Sequence, residues 1–157
     1  MFEHLDEMQL KIAAFFDRMI PTDYSEAWFF YELNNNVEDY WYCYVDKNSN
    51  NVIPADCLIY RKDIVIKDKR MFEKLESEIC KNLFELQNLY FEYTGKRWYG
   101  SILQLNGNGS YKFSFNYQRF ESELTERRME WCKEYFGAIP VVKKDMLNED
   151  FPGNRKK

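Results

Sequence analysis

The chain has 157 residues, 45% of them hydrophobic and 18% aromatic, and a net charge of −4. That length suits one domain with a core of its own, and no stretch approaches the roughly 18–20 apolar residues that span a bilayer. The opening MFEHLDEMQL is acidic and lacks an apolar run, which excludes a typical secretory or transit signal and makes the cytoplasm the expected location.

The first element is a predicted helix over residues 3–19. Leu5, Met8, Ile12, Phe15, Phe16 and Met19 recur at three- and four-residue spacing, so they share a face. Pro21 stops it. Two strands follow. In AWFFYEL, Ala27, Phe29, Tyr31 and Leu33 point one way and Trp28, Phe30 and Glu32 the other. Asn34-Asn35-Asn36 reads as the turn, because Asn tolerates positive φ. In VEDYWYCYV, Tyr40, Tyr42 and Tyr44 share one face, and Trp41, Cys43 and Val45 share the other. A third, less regular strand is expected over 52–60, at an edge or bulge because of Pro54.

The longest predicted helix covers 68–94. Phe72, Leu75, Ile79, Leu83, Leu86, Tyr90 and Tyr93 form its stripe, and Gly95 stands where a left-handed C-cap belongs. Asn106-Gly107-Asn108-Gly109 then joins two strands as a hairpin. The second of these, SYKFSFNY, alternates: Tyr111, Phe113, Phe115 and Tyr117 are expected inward, with Lys112, Ser114 and Asn116 outward. A last helix is expected over 121–136, with Trp131 on its buried stripe, before Gly137 and Pro140. The fold class is therefore α+β: five antiparallel strands packed by helices, in the order α-β-β-β-α-β-β-α. Residues 1–142 form the single domain, and 143–157 are a polar, frayed tail.

Chemistry-bearing constellations are scarce. Four cysteines, Cys43, Cys57, Cys80 and Cys132, have long irregular spacings and no CxxC, which reads as reduced, buried thiols. The single histidine, His4, has no ligand partner at helical spacing, so His-based triads and His-rich metal sites lack support. No phosphate-binding glycine motif occurs. Glu38 and Asp39 could be taken for a catalytic acid pair, but neighbours on a strand point to opposite faces. The expected protein is not an enzyme, has no catalytic or metal-binding residues, and needs no cofactor.

Two binding readings remain. Aromatic strands can stack nucleic-acid bases, but phosphate binding needs Lys and Arg around them. Residues 27–45 hold none, and they hold Glu32, Glu38 and Asp39. The second reading is a protein ligand. Residues 1–60 carry eleven acids against three bases, a balance of −8, and residues 61–157 carry fifteen against nineteen, a balance of +4. An acidic face steers a basic partner and repels nucleic acid. The residues singled out for partner contact are Glu32, Glu38, Asp39, Tyr40, Tyr42, Tyr44 and Asp46. Whether the three tyrosines form an outer face or lie under helices on both sides of the sheet stays open at this level.

The order of these pieces resembles the YezG-like antitoxin or immunity proteins of bacteria. The stretches that carry the likeness are the opening helix running into MIPTDYSEAWFFYEL, the segment MFEKLESEICKNLFELQNLYFEYTGKRWYGSILQL, and GSYKFSFNYQ followed by RRMEWCKEYFGAIP. The resemblance covers about residues 4–140. It implies an α+β fold and a non-enzymatic role: binding and neutralising a toxin, often the nuclease domain of a secreted polymorphic toxin. Family members often carry acidic residues after the tyrosine matching Tyr117, where this chain has Gln118 and Arg119. If that spot meets toxin, the resemblance implies a divergent partner.

Overall fold

A computed structural model of the protein describes residues 2–154; Met1 and the last three residues of the expected tail lie outside that range. The elements are α1 (Phe2–Met19), β1 (Tyr24–Asn34), β2 (Val37–Asp46), β3 (Val52–Pro54), α2 (Lys69–Thr94), β4 (Gly100–Asn106), β5 (Tyr111–Asn116) and α3 (Leu124–Phe136). The strands form one antiparallel sheet in the order β3-β2-β1-β4-β5. Class and element order are as the sequence pattern requires.

Local signals explain the boundaries. Asp68 caps α2 by accepting the Met71 backbone N–H at 3.0 Å, and Gly95, at φ 73, closes it in the left-handed conformation. The β1–β2 loop is Asn35-Asn36, at φ 50 and 64. Two left-handed residues in a two-residue loop make the primed turn whose twist matches a hairpin. That turn fixes the register: Asn34 faces Val37, Leu33 faces Glu38, and Glu32 faces Asp39.

Helices cover both faces of the sheet. On one face α1 and α2 lie over Ala27, Phe29, Tyr31 and Leu33 of β1, Tyr42 and Tyr44 of β2, and Leu103 and Leu105 of β4. Phe16 meets the rings of Phe29 and Tyr42 edge-on at 5.3 and 6.0 Å. On the other face α3 seals a smaller core of Trp28, Phe30, Trp41 and Cys43 with its own Leu124 and Cys132. Burial on both sides explains the continuous apolar run AWFFY, which a strand wet on one face would break with polar residues.

This arrangement corrects the idea of an outward tyrosine face. Tyr42 and Tyr44 are 4% and 1% exposed, and only Tyr40, at 38%, reaches solvent. Period-two alternation separates two faces but cannot say that both are covered. Three smaller corrections follow. The third strand ends at Pro54, because Cys57 turns at φ 58 into a short 3-10 helix over Leu58–Tyr60. The last helix starts at Leu124, since the Arg127 guanidinium donates to the Ser122 carbonyl and holds that segment as a turn. Trp131 is half-buried rather than core, stacked on Tyr135 and edge-on to Trp28. The tail is also less free than its polarity suggests. Leu147 is 5% exposed and bridges Arg61, the Lys62 N–H donates to the Met146 carbonyl, and the Asn148 N–H donates to that of Tyr60.

Candidate partner-binding site

The turn end of the β1–β2 hairpin gathers most of the residues singled out from the sequence. Val37, 71% exposed, stands at the tip, and the exposed Glu38 and Asp39 follow it. As successive strand residues they serve opposite faces.

Glu38 lies on the α2 side, where it accepts a hydrogen bond from the Tyr31 hydroxyl. Beside it, Glu76 of α2 accepts from the hydroxyls of Tyr40 and Tyr42, each at 2.8 Å. Two carboxylates thus tie three hairpin tyrosines, one of them through the long helix. Burial, and then the hydrogen bond to Glu38, raises the Tyr31 pKa above its ordinary value. Burial and Glu76 do the same to Tyr40 and Tyr42. The Cys80 thiol is pushed up to about 12, first by burial and then by the charges of Glu38 and Glu76, so it stays protonated and unreactive near neutral pH. An open groove of about 470 Å³ runs here between Glu38, Tyr40, Glu76, Lys81 and Glu85.

Asp39 lies on the α3 side, directly across the hairpin from Glu32. Like charges so placed repel, and the fold answers with Arg127 of α3. Its guanidinium forms a two-pronged ion pair with Glu32, with one prong at 2.6 Å. The same guanidinium covers the Phe120 ring, 3.7 Å from its centroid. Phe120 in turn rests on Gly100, where an added Cβ would come within 2.6 Å of the ring. Among the described residues Asp39 keeps no such partner. It lines an open groove of about 640 Å³ with Asn35, Val37, Phe120, Glu123 and Arg127.

Asp46 does not belong to this end. It closes β2 opposite Tyr24, about 25 Å from Glu38 at the usual rise per strand residue. Its carboxylate accepts from the Ser49 hydroxyl and backbone N–H and from the Thr22 hydroxyl. The Ser49 bonds lead in holding its pKa below the ordinary value. Asp46 organises a turn, and it holds that turn most strongly while ionised.

Of the seven sequence candidates, Glu32, Glu38, Asp39 and Tyr40 come together, Tyr42 and Tyr44 are core, and Asp46 is remote. A base-stacking surface would need exposed rings, whereas Trp41, Tyr42 and Tyr44 are buried. Sequence reasoning missed Glu76, Phe120, Glu123 and Arg127. Glu76 meets Tyr40 across 36 residues and Arg127 meets Glu32 across 95; no local spacing signals such pairings. Among the described residues, no three His, Cys, Asp or Glu side chains gather as metal ligands, and no helix is long and apolar enough to cross a membrane.

The comparisons with known proteins agree with this architecture in one respect. A family model described as "Immunity protein YezG-like" matches residues 5–148. The match extends into the segment around Leu147 that docks on Arg61. A comparison with curated proteins gives no match.

Proposed function

The chain belongs to the YezG-like immunity proteins, and from that premise we propose that it neutralises a cognate bacterial toxin in the cytoplasm by binding a basic nuclease domain. An immunity protein acts by occupancy rather than catalysis, so the protein itself carries out no reaction. The observation that supports a basic partner is the acidic hairpin end, where Glu38 and Asp39 are exposed on opposite faces of one strand and each lines an open groove. Nuclease domains approach phosphates and therefore present positive surface. Opposite charge raises the association rate of such a pair, and salt weakens that gain.

The test takes the gene neighbouring this one and asks whether the C-terminal domain of the protein it encodes is a toxin that this chain neutralises. Co-expression should rescue growth, and the two proteins should co-purify. The double substitution Glu38→Lys, Asp39→Lys should slow association by at least about tenfold at low salt, within the spread that charge steering produces. A toxin domain that neither binds the parent protein nor loses toxicity in its presence would refute the proposal.

A further inference from the structure

We infer that the toxin anchors itself by inserting one apolar side chain into a cavity between α3 and β4, next to the Asp39 groove. This inference rests on the antitoxin reading above and extends it to a specific place and a specific recognition chemistry.

The cavity measures about 200 Å³. Its apolar walls are Phe30, Ile102, Phe120, Leu124 and Trp131. An apolar cavity of about 150 Å³ can stay dry and take up benzene, so this one has room for a single aromatic or branched aliphatic side chain. It exists because α3 is short. The helix seals the β1–β2 half of its face of the sheet but leaves Ser114 and Asn116 of β5 exposed beside the half-buried Ile102. Asn116 stands at the cavity mouth.

Charge identifies the occupant. Glu32, Phe120, Leu124 and Arg127 line both this cavity and the larger groove that contains Asp39 and Glu123. The two spaces are neighbours divided by the Phe120–Arg127 contact. Arg127 is spent on Glu32, and Arg128 is paired with Asp56 at 3.2 Å. Among the described residues lining the larger groove the one cation, Arg127, is thus taken up by Glu32, while Asp39 and Glu123 offer exposed carboxylates; the nearby Arg119 lies over the Tyr99 ring. The complement is a protein segment that sets a Lys or Arg beside an apolar residue. The cation meets Asp39 and the apolar side chain fills the cavity. Such division of labour is common at interfaces: charge governs encounter, and a desolvated anchor governs dissociation.

The experiment measures surface-binding kinetics against the C-terminal domain of the toxin that passes the growth-rescue test above, immobilised as a catalytically inactive variant. Asn116→Trp places a ring over the cavity from an exposed strand position and removes only the bond that Asn116 Oδ1 accepts from the Gln118 N–H at 3.0 Å; circular dichroism and the melting temperature check that the fold is retained. Asn116→Trp should raise the dissociation rate at least about tenfold with little change in association, the usual signature of a lost anchor. Asp39→Lys should do the reverse, with the difference shrinking as salt rises. Lys74→Trp, which adds the same bulk on the exposed side of α2, should bind like the parent. If the parent binds and Asn116→Trp dissociates no faster, the cavity is not the anchor and only this inference falls. If the parent does not bind, the toxin pairing falls and the anchor with it.

Discussion

Glu76 offers a measurable test of how the hairpin is held. Its carboxylate accepts two tyrosine hydroxyls at 2.8 Å, and Glu76→Ala removes both acceptors without harming helix propensity. The two losses differ. Tyr40 is 38% exposed, so water replaces Glu76 there, and the loss is under about 1 kcal/mol. Tyr42 is 4% exposed. Leaving its hydroxyl unpaired costs about 1–3 kcal/mol. The sum expected for Glu76→Ala is about 1–4 kcal/mol, a large fraction of a typical domain's stability. For a chain of this size that is a fall of roughly 2–16 °C in melting temperature. Urea titration at pH 7 measures it, and an unchanged slope would show that the two-state transition is preserved. Tyr42→Phe supplies the internal check. In the parent it should cost about 1 kcal/mol, and in the Glu76→Ala background it should cost nothing or stabilise, because it removes the orphaned hydroxyl. A loss below about 0.5 kcal/mol for Glu76→Ala, or the same cost for Tyr42→Phe in both backgrounds, would refute the reasoning.

Stability should also fall at alkaline pH. Tyr31, Tyr40 and Tyr42 have pKa values raised by burial and neighbouring carboxylates, so their protonated forms favour the folded state. That contribution is complete below the unfolded value of about 10 and is lost as pH climbs above it. Urea midpoints at pH 8, 9.5 and 10.5 should drop steeply, and less steeply in a Tyr31→Phe, Tyr42→Phe variant; parallel curves would contradict this. In the smaller core, Trp28, 2% exposed, lies among the rings of Trp131, Tyr135 and Phe136. Trp28→Ala should cost about 3–5 kcal/mol, and the half-buried Trp131 should cost less than about 3 by the same reasoning. Chemical denaturation ranks the two, and an inverted order would mean that α3, not β1, anchors that core.

Element type and order were determined by the sequence itself. The stripe from Phe72 to Tyr93 repeats with the helical period and ends at Gly95, while Tyr111 to Tyr117 repeats with the strand period. Each pattern follows from local backbone geometry, which a neighbour-by-neighbour reading captures. The acidic character of the first sixty residues was equally legible, because charge is counted rather than folded. Only the tertiary structure decided what each side chain meets. Tyr40, Tyr42 and Tyr44 look equivalent in sequence, yet Tyr42 is buried against Phe16 of α1 and Glu76 of α2, Tyr44 is buried at the far end of the strand, and Tyr40 stays at the rim. Glu32, Glu38, Asp39 and Asp46 look like one acidic group, yet Glu32 is neutralised by Arg127, Glu38 holds Tyr31, Asp46 caps a distant turn, and Asp39 faces an open groove. The physical reason is range: backbone periodicity is set within a few residues, whereas burial and ion pairing are set by whichever distant segment packs across the sheet.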